Sequence, residues 1–359
     1  MPPELVKPQT QPVNTQPSAG DAAAGDLKDH TAAASNPTLQ RIWDKAGASP
    51  LHSLWDTQGV PLSVIAKRTF HAFNDDDLVS RAAELGYYFF FALFPTLIAA
   101  SALLGLLARS GNGAETKLLN YLSIVVPPSA MSLVLDTFTQ TVASSTGSKI
   151  TFGLITAIWS ASVGFAAIQD ISNTVYKTKE TRPYWKSRGS AILITILLAV
   201  LIIVILALMM LGTFTAHWAH VHLGRPLASV VPVLAHIVFT LAALAVLMVL
   251  FAVIYYFAPD LPKKQWRWLT PGATVAIVCW FLASLAMRIY LHYFANSYSA
   301  TYGTLGAVII LLTWFYITGL ALLLGAEVNS EIEVSVAEKQ LKEAGKLPAS
   351  ATIDPDAKL

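Results

Sequence analysis

Two acid–amide pairs, Asp170 with Asn173 and Glu327 with Asn329, stand at the ends of long apolar stretches, and Arg81 with Glu84 opens another. Groups of this kind beside hydrocarbon could bind a cation or exchange a proton, because the bilayer offers them no water. Arg182 and Arg188 follow the first pair closely enough to join it. The same residues have an ordinary use: acids near a membrane surface pair with arginines, and amides satisfy the open ends of helices. Which use applies depends on whether the helices carrying them are neighbours.

Two further groups invite chemistry. His217, His220 and His222 lie in one short connection, where neutral imidazoles at this spacing could hold Zn or Cu. No Cys, Asp or Glu in that connection completes a site, so a polar role at the interface competes with a metal. Arg288 is the one basic residue inside an apolar span; near its outer end, the side chain can reach the headgroups or serve as an intramembrane charge for a substrate. His236 reads as a hydrogen-bonded core histidine. Cys279, the only cysteine, reads as a small packing residue and allows no intrachain disulfide.

The elements that must position these residues are six apolar stretches, about 87–107, 150–168, 190–214, 230–257, 271–294 and 305–327. Each is near the ~20 residues needed to cross a ~30 Å hydrocarbon core. With 54% hydrophobic and 13% charged residues and a mean hydropathy of +0.54, the chain is an all-α integral membrane protein with six transmembrane helices. The net charge of +2 says little as a total, and its distribution says much. Lys67, Arg68 and Arg81 precede span one; Lys177, Lys179, Arg182, Lys186 and Arg188 separate spans two and three; Lys263, Lys264 and Arg267 separate four and five; Lys339, Lys342 and Lys346 follow six. The alternate connections hold few basic residues, so the positive-inside rule puts both termini in the cytoplasm. Asp170, Asn173, Glu327, Asn329, Arg81 and Glu84 then share the inner interface, with Glu327 about 33 Å down its helix. If their helices touch, they line a polar vestibule facing the cytoplasm.

Residues 1–60, rich in Pro, Gln, Ala, Ser and Thr, read as a disordered cytoplasmic tail, and 336–359 as a second tail flanking the membrane domain at 61–335. No secretory signal is visible, so span one is expected to serve as the insertion signal. Leu62, Ile65, Ala66, Phe70 and Phe73 recur at helical spacing among Lys67, Arg68 and His71, which predicts an amphipathic helix on the inner surface. Asn74 or Asp75 is the expected N-cap of the next helix, and Pro95 predicts a bend within it. The outer connection between spans one and two, about 40 residues long, shows two amphipathic segments divided by Pro127 and Pro128, lying on the outer leaflet or dipping inward as a plug. Tyr176, Tyr184, Trp185, Trp218, Tyr255, Tyr256, Trp266 and Trp268 mark the interfaces. The small residues Gly153, Ser160, Ser162 and Gly164 in span two, and Gly303, Gly306, Gly319 and Gly325 around span six, favour close helix packing.

Four stretches together resemble a known family. They are Arg81-Ala-Ala-Glu-Leu-Gly-Tyr-Tyr-Phe-Phe-Phe-Ala-Leu-Phe-Pro95; Trp159-Ser-Ala-Ser-Val-Gly164 with Asp170, Asn173, Tyr176 and Glu180-Thr-Arg182; Tyr255-Tyr-Phe-Ala-Pro259 with Pro271-Gly-Ala273; and Tyr302-Gly-Thr-Leu-Gly-Ala307 with Trp314, Tyr316 and Gly325-Ala-Glu-Val-Asn329. In this order they resemble the YihY/BrkB family of bacterial inner-membrane proteins, once labelled ribonuclease BN, over roughly residues 60–335. The resemblance implies a six-helix protein of the bacterial cytoplasmic membrane with inner termini, discussed as an exporter or an envelope-resistance factor. It carries over no catalytic residue.

Three functions are weighed. An exporter of a small solute or ion fits the six spans and their polar inner residues. A non-transporting scaffold or envelope-resistance factor would act through the tail, the outer connection or lipid contacts. A nuclease would need a basic groove or a cytoplasmic metal set, and the short inner connections supply neither. The expectation is therefore not an enzyme, with no cofactor, the lipid bilayer and an unknown small solute or ion as partners, no nucleic acid, and homo-oligomerisation left open.

Overall fold

A computed structural model of the chain describes residues 37–48, 51, 54–108, 147–222, 225–302 and 305–348. The described residues form eight helices and no strand: α1 (Pro37–Ala48), α2 (Leu62–Asp75), α3 (Leu78–Ala108), α4 (Gly147–Val175), α5 (Tyr184–His222), α6 (Arg225–Phe257), α7 (Pro271–Tyr302) and α8 (Leu305–Glu343). Five stretches are long and apolar enough to cross a membrane: Thr151–Val175, Tyr184–Thr215, Val230–Phe257, Pro271–Phe294 and Leu305–Glu343. The expected first span falls within α3, which stays helical through Pro95, although the side chains from Pro95 onward lie outside the described residues. The outer connection with its two expected amphipathic segments also lies outside them.

The long helices pack in a nearly closed circuit. α6 lies on α5, α5 on α4, α4 on α3, α3 on α8 and α8 on α7, and only a narrow contact joins α7 back to α6. Buried side chains gather at one end, which we call the base: Leu78, Ala82 and Leu85 of α3, Ile168, Ile171 and Val175 of α4, Val253 and Ile254 of α6, Ala273 and Ile277 of α7, and Leu322 and Leu323 of α8. α5 leaves most of its apolar side chains exposed, as a lipid-facing helix should.

α8 is the axis of the base. Its 39 residues span about 58 Å, while a bilayer core takes about 20 residues, so the helix is about twice as long as one crossing requires, and its charged residues lie from Glu327 onward. That part is buried nearly all round, from Asn329 through Glu338, because other elements wrap it. Ile42 and Ala46 of α1 pack with Val334, Ala337 and Leu347, so a helix sits inside the stretch whose composition reads as a tail. Leu54 and Ile65 pack with Ile332.

A helix forms where the periodicity predicts one, but the face that α2 buries is not the expected apolar one: Ile65, Arg68 and Thr69 turn inward while Leu62, Ala66 and Phe70 stay exposed. It runs through Asn74 and Asp75, and the Asn74 side chain donates back to the Phe70 carbonyl at 2.8 Å. The expected cap therefore moves to Asp77, whose carbonyl accepts the Arg81 N–H at 3.1 Å and whose carboxylate accepts the Ser80 hydroxyl at 2.9 Å.

Candidate functional site

The base is built from helix ends, and amides of the candidate vestibule satisfy them. α7 opens with Thr270 as cap, its hydroxyl accepting the Ala273 N–H at 3.0 Å, and Pro271 in the first helical position. The remaining early donor, Gly272 N–H, goes to the Asn329 side-chain oxygen at 2.9 Å, and the Asn329 amide donates to Thr270 at 3.2 Å. Asn173 does similar work after α6: its oxygen accepts the Asp260 N–H at 2.7 Å and its amide donates to Glu180 at 2.9 Å. Ser330 donates at 3.0 Å to the carbonyl of Val175, the last residue of α4. Tyr255 donates at 2.9 Å to the Leu322 carbonyl. The Asn329 and Ser330 bonds satisfy open backbone groups at the start of α7 and the end of α4, while Asn173 braces the connection after α6 and Tyr255 reaches the middle of α8.

The arginines of the vestibule divide among three settings. Arg182 pairs with Glu180 at 2.6 Å and lies 3.6 Å from Asp260, which also accepts the Thr181 N–H and hydroxyl at 2.8 and 2.6 Å. The Arg182 hydrogen bond, with help from Asn173, holds the Glu180 carboxyl below its ordinary range. Burial opposes ionisation of Asp260, but the Thr181 bonds and Arg182 outweigh it and its pKa is lowered too. Arg81 pairs with its own helix neighbour Glu84, at 3.9 Å. Arg188 reaches back along α4, its guanidinium 4.4 Å above the Trp159 ring and donating to the Trp159 and Ser162 carbonyls at 3.3 and 3.4 Å. Asp170 is exposed.

Glu327 is the exception among the expected residues. It is 1% exposed, and its Oε2 has no hydrogen-bond partner among the described residues. One turn on, Glu331 shares that condition, and so does Asp76 at the turn between α2 and α3. The amine of Lys177, just past α4, bonds the other oxygen of Asp76. Farther along the same face of α8, Arg68 donates to Ser335 at 3.0 Å and to Glu338 at 2.7 Å, and Lys342 meets Glu338 at 2.8 Å. On another face Arg267 pairs with Glu333 at 2.6 Å and donates to the Leu51 carbonyl. Burial pushes the Glu331 carboxyl up to about 7, with Arg68 and Lys177 opposing the shift. Burial likewise raises Asp76, and Lys177 offsets part of the rise.

A cavity of about 300 Å³ opens beside this network between α1 and α8, lined by Trp43, Asp44, Tyr176, Lys177, Ser330 and Glu333 among others. Asp76, Lys177, Glu331, Arg68 and Glu333 do not stand out in the sequence as site residues. Glu327 and Glu331 at a four-residue spacing were a visible signal, but nothing local says that the face they share is enclosed.

Arg288 is exposed on α7. The side chains of His217, His220 and His222 lie outside the described residues, and no group of three or more His, Cys, Asp or Glu arranged for a metal occurs among the described ones.

Comparison with known proteins adds the lineage. Residues 69–348 match the family described as virulence factor BrkB. The chain is 35% identical over 264 residues to a ribonuclease-like protein, YfkH, of Bacillus subtilis (strain 168), covering 74% of this chain and 93% of that protein. It is 26% identical over 271 residues to the UPF0761 membrane protein Smlt0865 of Stenotrophomonas maltophilia (strain K279a), covering 73% of this chain and 59% of that one. A UPF0761 membrane protein of Xanthomonas oryzae pv. oryzae (strain PXO99A) is 24% identical over 288 residues, 78% of this chain and 63% of its own. No solved structure matches.

Proposed function

The chain belongs to the virulence factor BrkB family of membrane proteins, and from that premise we propose that it is a six-span exporter of a small solute or ion in the bacterial cytoplasmic membrane, with both termini inside. The basic residues of alternate connections support the orientation, since lysine and arginine near span ends are retained on the inner side. The base then faces the cytoplasm. One observation carries the transport reading: Glu327, at the inner end of span six, is enclosed and keeps a carboxylate oxygen without a partner among the described residues. An ionisable group kept in that condition is costly and marks an ion or substrate path more often than a packing need.

A scaffold without transport is the second reading, and the amide caps favour it. Asn329 is engaged in capping α7 and Asn173 in bracing the connection after α6, and the glycine contact of α7 with α8 leaves the base little freedom. The word ribonuclease in a relative's name belongs to that protein; the inner connections of this chain, 176–183 and 258–270, are too short for a nuclease groove, so a non-enzymatic role is our reading.

Reconstituted protein in liposomes separates the two. Export predicts solute or cation flux that Glu327→Gln reduces at least tenfold while the protein keeps its melting behaviour. Asp170→Asn, at an exposed position, should leave flux within twofold of the parent. Equal flux through the parent and Glu327→Gln would remove Glu327 from the path, and no flux of any tested solute from folded protein would favour the scaffold.

A further inference from the structure

We propose that Asp76, Glu327 and Glu331 form one proton-binding site at the foot of α8, exchanging with solution through the cavity that Lys177 lines. The inference deepens the transport reading, on which its functional half rests: the bound proton is the coupling ion.

Geometry carries the assignment. Three carboxyl groups, from the α2–α3 turn and from successive turns of one α8 face, each keep one buried oxygen with no partner among the described residues. Glu327 is 1% exposed, Glu331 5% and Asp76 8%. The charged groups that bear on them are few. Asp75 and Asp76 come from the turn, Arg81 acts on Asp76 from α3, Lys177 comes from the connection after α4, Arg68 from α2, and Glu338 from α8 itself. Arg68 is held by Ser335 and Glu338, and Lys177 by Asp76, so two cations face the four buried acids Asp76, Glu327, Glu331 and Glu338.

Four buried carboxylates around the Arg68 guanidinium and the Lys177 ammonium leave an excess of like charge that low-dielectric surroundings do not tolerate. A proton resolves this. It leaves hydronium, forms an O–H bond on one carboxylate, and gives that group a donor for a neighbour's open oxygen; several acids coupled in this way titrate as a unit. The hydroxyl of Thr69, also buried without a partner among the described residues, is a further polar atom on the α2 side of the seam. Access exists at Lys177, whose side chain is 40% exposed and lines the cavity. A divalent cation is the less suitable ligand, since no set of acids among the described residues is arranged for one.

The full-length protein in liposomes tests the site directly. The carbonyl stretch of protonated carboxyl is followed by infrared difference spectroscopy across pH, in the parent and in Glu331→Gln, Glu327→Gln, Lys177→Gln and the exposed control Glu343→Gln, with thermal melts to confirm folding. A carboxyl that titrates near neutrality, is lost in Glu331→Gln, moves to higher pH in Lys177→Gln and is unchanged in Glu343→Gln supports the proposal. Identical titrations in the parent and both glutamate variants overturn it. Solute flux under an imposed proton gradient distinguishes the two readings. A titrating carboxyl without flux supports the site and ends the transport reading. Flux that ignores the gradient overturns the coupling role and leaves transport standing.

Discussion

Lys177 sits in the left-handed region, φ 48°, two residues beyond the end of α4, where helices usually place glycine. The Thr178 N–H returns to the Asn173 carbonyl at 2.9 Å and the Lys177 N–H to Thr174 at 3.0 Å, which closes the helix and forces that conformation. Holding a lysine there costs about 1–2 kcal/mol, and the return is an ammonium on Asp76. The acids around it divide by sign. Glu180 and Asp260 have lowered pKa values, so their contribution is present above the ordinary carboxylate range and is lost as pH falls through the folded values. Asp76 and Glu331 are raised, so theirs is present below the unfolded value and lost as pH rises through the folded one, for Glu331 from about 4.5 to about 7. Amide exchange across residues 327–338, corrected for its intrinsic pH dependence, should therefore show protection falling over that window. Glu331→Gln should flatten the fall; an unchanged slope in that variant would assign it to other groups.

At the scale of elements, α8 approaches its neighbours through glycine. A Cβ on Gly325 would overlap the Tyr255 hydroxyl and the Gly272 carbonyl, and one on Gly272 would overlap the Gly325 carbonyl and the Asn329 amide. Gly86 and Gly319 mark the α3–α8 crossing, where an added Cβ would come within 3.1 Å of the Tyr316 backbone and 3.2 Å of the Ala82 carbonyl. Gly189 near the start of α5 has nothing within 4 Å. Thermal melts in detergent should rank three alanine variants accordingly. Gly325→Ala should lose about 3 kcal/mol or fail to fold, Gly86→Ala should lose about 1 kcal/mol as the Tyr316 backbone yields, and Gly189→Ala should gain up to about 1 kcal/mol from helix propensity. Equal effects at Gly325 and Gly189 would mean that the α7–α8 contact is looser than described.

For the whole molecule the deciding matter is which way the base faces. The burial at that end, the ion pairs of Arg267, Arg68 and Arg182, and the exposed Tyr184, Trp185 and Trp268 are what an inner interface would gather. Single cysteines placed in a Cys279→Ala background test it with a membrane-impermeant maleimide on intact spheroplasts. Lys263→Cys and Lys346→Cys should react only after permeabilisation, and Arg225→Cys before it. The reverse pattern would invert the orientation and carry the proton site to the outer face.

The amino-acid sequence alone determined the class, the long apolar helices and, through its family motifs, the lineage, because apolar length and motif order are local properties that need no knowledge of neighbours; it did not show α1 or the extension of α8 to Glu343. It also located Glu327, whose place at the end of an apolar run is local too. Tertiary structure decided which polar residues act together. Asn173 and Asn329 look alike in sequence to residues of a binding site, and only the position of α7 and of the connection after α6 makes one a cap and the other a loop brace. Glu331 and Glu338 lie where α8 leaves its apolar run, and charge there ordinarily means solvent. They are buried because α1, α2 and the connections wrap the helix beyond its apolar run, and Asp76 and Lys177 meet across about a hundred residues of chain. Burial and charge pairing are properties of the assembled bundle, which is why the candidate proton site emerged only there.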